Sequence, residues 1–466
     1  MAKQLNLGDV EIRKMLLHSA SGDFNIIPNF LELNIYENIF RNSLTATAVI
    51  ADSLNLPQKL PIVGEETLEI ELAMPGIDGG PETIIKPTLL HVNSLTDRYF
   101  TKPKAQNFSL ELISEKHMCS IHSKVSRAYR GKKISDIVQN IYEEYLDNGK
   151  HPLNIEPTER TENLIIPNMS PIAAINWLAN RAIPAPSLAV NYVFYETCSG
   201  SYFVSLDSLA QLEPVSTFFH RQRVDDHRGV EHAAKNEFKI DKFTFLHQFD
   251  KHKSTKKGVY ASKLITHDIV RKKIETQEYQ GFNEWFAFNH LGDFPPLSNS
   301  DMELQSSNTF RTSYSPPLEG SEATVDEKQL GKMVDSRVDF YPKHDQMYSL
   351  NKQDLYDNQV EKWKLRRNGN LGVYDNITIL VEVGGISGLR VGQNINLILP
   401  SPETTDTPNS SDKVEDKYLS GKYMITAIRH IFSKVEQTDP RIQYDMQLEL
   451  TRDGLGDVVP IREARK

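Results

Sequence analysis

The segments Leu44-Thr-Ala-Thr-Ala-Val-Ile50 and Thr67-Leu-Glu-Ile-Glu-Leu72 decide the fold. Apolar and more polar side chains alternate in both, which is the period of a β-strand with one buried and one solvated face. The turn Leu60-Pro-Ile-Val-Gly64 separates them, and its glycine can adopt a positive φ. Phe108 to Leu112 alternates in the same way. Together these segments predict a small antiparallel barrel or sandwich over residues 1–130.

The same pattern returns near the C-terminus. Ile377 to Val383 alternates, Leu389-Arg-Val-Gly392 repeats the turn, and Ile442 to Leu450 alternates without a break. We therefore predict an internal repeat, in which Leu68, Ile70 and Leu72 correspond to the apolar residues of Asn394 to Leu399. The alternative is that antiparallel sheets share such patterns without being related.

Length and charge limit the classes of protein that the chain can belong to. With 466 residues, a single core is not expected, and three or four domains are. Its net charge of −9 argues against a protein that grips nucleic acid through phosphates. No apolar segment predicts a membrane helix or a signal peptide. Cys119 and Cys198 lie far apart, so neither a disulfide scaffold nor a zinc site is indicated.

Residues 131–235 are predicted to form a small α+β domain with two helices and a hairpin. The first helix begins near Ser135 and the second at Ser170-Pro171, because serine caps helices and proline suits the first turn. The hairpin turns at Ser199-Gly200. The apolar faces of the two helices are Ile137, Val138, Ile141, Tyr142 and Tyr145, and Ile172, Ile175, Leu178 and Ala182.

The second barrel is predicted to be discontinuous, with residues 236–269 and 367–458 on either side of an insertion. A basic turn within its first part, Lys251 to Lys257, is interpreted as a solvated hairpin tip. Residues 459–466 are expected to form a flexible tail.

The inserted residues, 270–366, lack strict alternation and are rich in Asn, Ser, Asp and Pro, so a loop-rich domain is predicted. A helix is expected at 351–367. Asn351 caps it, Val360 and Trp363 face inward with Tyr356, and Asn368-Gly369 stops it.

No local cluster of reactive side chains predicts a catalytic, cofactor or metal site. Asp225-Asp-His227 with His232 has the side chains of a metal site, but a solvated turn is the favoured interpretation. Glu65-Glu66 could form a carboxylate pair, but the surrounding pattern places them on a wet strand face. Gly384-Gly-Ile-Ser-Gly388 lacks the following helix of a phosphate loop. We therefore predict no enzyme, although the carboxylate pair of a glycosidase leaves no local signature.

Six segments occur in an order that is typical of one family. They are Ile35-Tyr-Glu-Asn-Ile39, Leu44 to Ser53, Leu60 to Glu66, Tyr129 to Val138, Pro167 to Ala179 and Gly258 to Lys263. In this order the chain resembles the baseplate central hub proteins of contractile-tailed bacteriophages, and related modules begin the spike proteins of type VI secretion. The resemblance implies a mainly β fold with α+β parts, in which two tail-tube-like antiparallel β-barrels flank a small α+β domain. It also implies a further domain inserted in the second barrel.

The resemblance further implies a non-enzymatic structural protein of the virion, assembled in the host cytoplasm. Three chains with two equivalent barrels each would form a homotrimeric, pseudo-sixfold ring between a hexameric tail tube and a trimeric central spike. The expected partners are the tail tube protein, the spike protein, and baseplate wedge and tape-measure proteins. Genomic DNA is expected only in transit, and no stable membrane association is expected.

Two alternatives remain open at this point. The first is a tail-associated enzyme that cleaves glycan or peptidoglycan, which would need paired carboxylates in a cleft. The second is a glycan-binding module, for which Trp285, Phe286 and Tyr314 in the insertion are the only support.

Overall fold

The computed structural model describes residues 9–74, 82–87, 89–147, 151–159, 161–184, 189–220, 238–285, 287–294, 309–315, 324–329, 334–343, 360–401, 415–434 and 442–457. The described chain is mainly β, with several sheets, as the sequence predicts. The largest sheet has 14 strands and takes them from both ends of the chain. No helix among these residues is long and apolar enough to span a membrane.

The N-terminal strands form an antiparallel unit, which we call unit 1. A short helix, α1 (Leu56–Lys59), precedes the turn at Gly64, where φ is +98° as predicted. Leu44, Ala46 and Ala48 are buried, which confirms the predicted inward face. The strands are β1 (Asp9–Ser19), β2 (Gly22–Asn25), β3 (Phe30–Asn38), β4 (Thr45–Asp52), β5 (Thr67–Met74), β6 (Thr83–Ile85), β7 (Leu90–Lys102) and β8 (Ala105–Ser114).

The middle domain follows, with the predicted helices and hairpin and its own core. The apolar faces predicted for its helices are buried, except that Tyr145 is only partly so. The first helix starts at Ile134, and the side chain of Ser135 does not cap it. The elements are α2 (Glu115–His122), β9 (Val125–Lys133), α3 (Ile134–Ile141) with a wide turn at Tyr142–Asp147, β10 (Leu153–Ile155), β11 (Thr161–Met169), α4 (Pro171–Ala179), β12 (Tyr192–Thr197), β13 (Gly200–Ser205) and α5 (Leu206–Gln211).

The C-terminal half contains a second strand unit, unit 2, and an inserted part. The first strands of unit 2 are β14 (Thr217–His220) and β15 (Lys239–His247). The inserted part contains α6 (Lys251–Lys257), β16 (Ala261–Asp268), β17 (Lys273–Gln280), α7 (Gly281–Trp285), β18 (Thr309–Ser315), β19 (Thr324–Gln329), β20 (Val338–Lys343) and α8 (Val360–Val373). Unit 2 resumes with β21 (Ile377–Gly384), β22 (Asn394–Ile398), β23 (Gly421–Lys434) and β24 (Ile442–Arg452).

The strands of the two units pair in the same order, which confirms the predicted repeat at the level of topology. In unit 1 the antiparallel pairs run β3–β4–β8–β7–β5. In unit 2 they run β15–β21–β24–β23–β22. The sixth strands differ, because β1 pairs antiparallel with β5 whereas β14 pairs parallel with β22.

The residue register extends this equivalence to single positions. The pairing register shifts between Val92 and Ser94 in β7 and between Ile425 and Ala427 in β23, which is the same place in both units. Leu68 of β5 lies opposite Leu90 of β7, and Ile395 of β22 lies opposite Tyr423 of β23 in the same way. The predicted equivalence is confirmed: Leu68, Ile70 and Leu72 correspond to Ile395, Leu397 and Leu399, and all six are buried in one core.

The predicted limit between unit 2 and the insertion is wrong at one strand. β16 does not join unit 2 but pairs with β17 and β20 in a separate three-stranded sheet. The insertion is also more regular than predicted. β17 exposes residues on both faces, so its sequence has no alternation from which a strand could be predicted.

Two helices also differ from their predictions. Lys251–Lys257 is not a hairpin tip but the helix α6, whose first turn is capped by the Asp250 carboxylate and which ends at Gly258 with φ +77°. α8 continues past Asn368-Gly369 to Val373. Gly369 lies directly against the Tyr279 hydroxyl, so a larger residue at this position of the helix would collide with it. Val360 and Trp363 are buried as predicted, and the predicted helix start at Asn351, with Tyr356, lies outside the described residues.

Asp375 anchors α6 to the start of β21 and makes stability depend on acid pH. Its carboxylate lies 2.5 Å from Lys253 Nζ and 2.9 Å from Lys257 Nζ. Burial raises the pKa of Asp375, but the two lysines outweigh it and hold the pKa below the ordinary 3.8. Folding therefore favours the charged form of Asp375. Its contribution to the free energy of unfolding is complete above pH 3.8 and is lost as pH falls through the lower pKa of the folded state.

We therefore expect Asp375→Asn to lower stability by no more than about 1 kcal/mol at neutral pH, because the pair is partly solvated. The difference between wild type and variant should shrink as pH falls below 3.8, where the Asp375 carboxylate becomes protonated in the folded protein as well. Thermal unfolding of both proteins across acid pH measures this. A difference that stays constant as pH falls well below 3.8 would contradict the assignment.

Candidate functional site at the joined strand units

The two units are joined edge to edge by backbone pairing between β3 and β23. The register runs from Asn38 opposite Ala427 to Glu32 opposite Ser433. β3 therefore lies between β4 and β23, and its inward residues Leu33 and Ile35 are fully buried. A shorter pairing of β1 with β24 adds a second connection. Two equivalent units thus lie side by side in one continuous sheet.

The strands equivalent to this pair, β7 in unit 1 and β15 in unit 2, each have a free edge. β7 is the counterpart of β23. Along the edge that faces away from β8, β7 pairs with β5 only at Leu90 and His91. β15 is the counterpart of β3. Along the edge that faces away from β21, β15 pairs with β14 only at Lys239 and Ile240. Within the described parts of the chain, no strand covers the rest of either edge.

Apolar side chains are exposed along both free edges. Phe432 in β23 is fully buried against β3, whereas its counterpart Phe100 in β7 is 75% exposed. Leu33 in β3 is fully buried, whereas its counterpart Phe243 in β15 is only partly buried. Equivalent positions therefore differ in burial: β3 and β23 pair along these edges, whereas no described strand pairs with the corresponding edges of β7 and β15.

A buried ion pair fixes unit 1 to the middle domain. Lys116 Nζ in α2 lies 3.0 Å from Glu196 Oε1 in β12 and 3.9 Å from Asp147 Oδ1. The second oxygen of Glu196 accepts a hydrogen bond from the backbone N–H of Leu44. Burial lowers the pKa of Lys116, but the negative charge of Glu196 outweighs it and raises the pKa above its ordinary value. Lys116 is therefore charged at neutral pH.

A second polar cluster lies where unit 1, the middle domain and unit 2 meet. The Glu37 carboxylate in β3 accepts a 2.7 Å hydrogen bond from the backbone N–H of Cys198, at the tip of the β12–β13 hairpin. His430 Nε2 in β23 lies 3.8 Å from the same carboxylate. Burial raises the pKa of Glu37, but His430 and the Cys198 N–H outweigh it, and the net pKa is lowered. Burial, followed by the Glu37 charge, raises the pKa of the Cys198 thiol.

The inserted part is anchored to both neighbours by buried polar contacts. The Arg367 guanidinium in α8 donates to the carbonyl oxygens of Ala179, Val190 and Tyr192 in the middle domain. Burial lowers the pKa of Arg367 to about 10, so it stays charged at neutral pH.

Trp285, a residue predicted to support glycan binding, belongs to the core instead. It is 6% exposed and stacks on His290 at 3.5 Å, and His290 in turn contacts Asp453 at 2.6 Å. Phe286 and the side chain of Tyr314 lie outside the described residues. The buried indole therefore removes the one supporting aromatic that can be placed.

The other sequence candidates do not form a site together. Asp225, His227 and His232 lie outside the described residues. Glu66 is buried and accepts from the backbone N–H groups of Val63 and Gly64, whereas Glu65 is exposed, so the two carboxylates do not act as a pair. In the Gly384–Gly388 segment, Gly385 packs directly against Tyr444.

A surface cavity of about 360 Å³ lies between β9 and α3. Its lining includes Arg127, Arg130 and Lys132, and Asp136 is the one carboxylate among its lining residues. The paired carboxylates of a glycosidase are therefore not found in this cavity.

Solved structures with a similar overall fold cover nearly the whole chain. A tail protein from Neisseria meningitidis MC58 matches with a TM-score of 0.51 and 12% sequence identity, over 96% of this chain and 99% of that one. The fold of this chain is similar to that of this tail protein. No protein-family model matches the sequence, and no curated protein is similar to it in sequence.

Two further structures align with lower scores. The 43 kDa tail protein of prophage MuSo2 from Shewanella oneidensis has a TM-score of 0.49 and 8% identity, over 95% of this chain and 98% of that one. A type VI secretion component of Escherichia coli has a TM-score of 0.39 and 8% identity, over 95% and 76%. The solved structures that align with this chain therefore include tail proteins and a type VI secretion component.

The junction residues were missed because their signal is weak in the sequence. Glu37 shares the inward face of β3 with Leu33 and Ile35, and His430 shares that of β23 with Ile428 and Phe432. A charged or polar residue at an inward position of an alternating strand is unusual, since an unpaired buried charge is costly. That interruption of the pattern was the available signal.

Proposed function

We propose that the chain is a structural hub of a phage tail baseplate, a homotrimeric ring that adapts a hexameric tail tube to a trimeric central spike. The observation that carries the proposal is the pair of equivalent strand units, joined edge to edge within one sheet. We further propose that the two units are the tail-tube-like barrels of the resembled family. Three such chains present six units, and closed rings require head-to-tail contacts whose rotation closes.

The contact between neighbouring chains follows from the contact inside each chain. In a pseudo-sixfold ring, every unit meets its neighbour in an equivalent way. The internal pairing of β23 with β3 therefore has a counterpart in which β7 of one chain pairs with β15 of the next. No described strand covers these edges of the two strands, and both strands carry exposed apolar side chains, as an unsatisfied contact would.

The equivalence also gives the register of the proposed contact. Phe432 lies opposite Leu33 inside the chain, so Phe100 would lie opposite Phe243 of the neighbouring chain. Ile431 lies opposite Asn34, so Tyr99 would lie opposite Thr244. Tyr99 and Thr244 are both exposed, which makes them suitable for cross-linking.

Two measurements test the trimer and its contact. The purified chain should have three times the mass of one chain by light scattering in solution. The variant Tyr99→Cys/Thr244→Cys should form reducible covalent trimers on mild oxidation, because antiparallel partners bring Cβ atoms to about 4.5–5.5 Å. As a matched control, Tyr99→Cys with Lys242→Cys moves one cysteine by two positions along β15 and should cross-link much less.

Two results would contradict the proposal. A protein that is monomeric at all accessible concentrations would contradict the proposed trimeric ring. A trimer in which both cysteine pairs react equally would agree with the proposed ring but would contradict the proposed contact between β7 and β15.

The remaining roles are proposed on the same basis. The pseudo-sixfold face binds the tube protein, the threefold end binds the spike protein, and wedge and tape-measure proteins are further partners. DNA passes through the ring only in transit, and the chain has no enzymatic activity, metal-dependent or otherwise, and no stable contact with a membrane. These assignments place the chain in the virion after assembly in the host cytoplasm.

A further inference from the structure

Glu37, Cys198 and His430 bring three metal-binding side chains together at the junction of unit 1, the middle domain and unit 2. One potential ligand atom from each lies within 4.8 Å of the other two. Glu37 is 2% exposed and His430 is 5% exposed. The three residues come from distant parts of the sequence, so no local spacing indicated them.

Within the described residues, the surroundings of the cluster leave one of these atoms without a hydrogen-bond partner, whereas the Glu37 carboxylate also accepts from the backbone N–H groups of Cys198 and Val391. His430 Nε2 is buried and has no hydrogen-bond partner among the described residues. Its 3.8 Å distance from Glu37 Oε1 is longer than a hydrogen bond. The other ring nitrogen, Nδ1, lies 2.8 Å from the Tyr444 hydroxyl. A buried carboxylate therefore faces a thiol and a buried imidazole nitrogen that has no partner, and a cation among the three would give that nitrogen a partner.

We propose that Glu37, Cys198 and His430 bind one divalent transition-metal ion, and that zinc fits this donor set best. Zinc lies about 2.0–2.3 Å from nitrogen, oxygen and sulfur ligands, so ligand atoms on one tetrahedral ion are roughly 3–4 Å apart. The 3.8 Å distance between Glu37 Oε1 and His430 Nε2 is within that range. The fourth position is left to water or to the second Glu37 oxygen.

The second layer of contacts supports this arrangement. With the ion on Nε2 of His430, the imidazole proton is on Nδ1 and is donated to the Tyr444 oxygen. Metal-bound histidines usually donate this proton to an outer hydrogen-bond acceptor. The backbone N–H of Cys198 donates to Glu37 and orients the carboxylate. The ion would tie three parts of one chain together, independently of whether three chains form a ring.

The full chain, purified without chelators, tests the proposal by metal analysis and cobalt titration. We expect about one zinc ion per chain, as a three-residue site would hold. After zinc removal, Co²⁺ should produce a thiolate-to-cobalt charge-transfer absorption. Cys198→Ala should abolish that absorption, whereas Cys119→Ala, which changes the other cysteine, should leave it intact.

Tyr444→Phe tests the positioning role of the hydroxyl while keeping the ring. It should weaken metal affinity by about 10–100-fold, as loss of an outer partner does. Wild-type protein that binds neither zinc nor cobalt would overturn the proposal and leave a hydrogen-bonded cluster. Cobalt absorption that persists in Cys198→Ala would overturn it as well. Because the first result needs no variant, misfolding of a variant cannot hide the answer.

Discussion

Lys116→Met is expected to lower the free energy of unfolding by about 3–5 kcal/mol, because it leaves a buried carboxylate without its cation. The Glu196 side chain is 1% exposed and the Lys116 side chain 5%, so water cannot replace the lost contact. Since the pair connects α2 to β12, the variant should also loosen unit 1 from the middle domain. Urea unfolding and limited proteolysis of the folded protein measure the two effects.

Two controls separate the buried charge from simple loss of a lysine. Lys116→Met/Glu196→Gln removes both charges and keeps an acceptor for the Leu44 N–H, so it should recover much of the stability. Arg127→Met breaks an ion pair whose side chains are both 46% exposed, so it should change stability far less than Lys116→Met does. Equal losses in Lys116→Met and Arg127→Met would contradict the importance of burial.

Leu448→Ala is expected to cost about 2–5 kcal/mol, the range for truncating a leucine in a packed core. Leu448 is fully buried in β24, between Val381 of β21 and Ile428 of β23. Removing its side chain leaves a cavity that paired strands on both sides cannot easily fill. Thermal and urea unfolding should both show the loss.

Gln447→Ala is the matched control, since Gln447 directly precedes Leu448 on the same strand and points to the partly exposed face. Its truncation should change stability by less than about 0.5 kcal/mol, as surface substitutions usually do. If the two variants unfold alike, the assignment of faces in β24 is wrong.

The sequence by itself determined those elements whose pattern is local. β4, β5, β21 and β24 have one buried and one wetter face, so their period of two is visible residue by residue. Helices α3 and α4 were also predictable, because their apolar faces recur at helical spacing. Even the repeat was readable, because two copies of one topology bury the same positions, such as Leu68 and Ile395.

Only the tertiary structure decided which strands are neighbours. β16 alternates like a strand of unit 2 but pairs in a different sheet, because pairing depends on contacts that are distant in sequence. Alternation likewise cannot tell that β3 is paired along both edges, whereas its counterpart β15 pairs along one edge with only two residues of a described strand. Glu37 and His430 meet for the same reason. A local pattern specifies which face of a strand is buried, but the chain's long-range packing decides what each face and edge contacts.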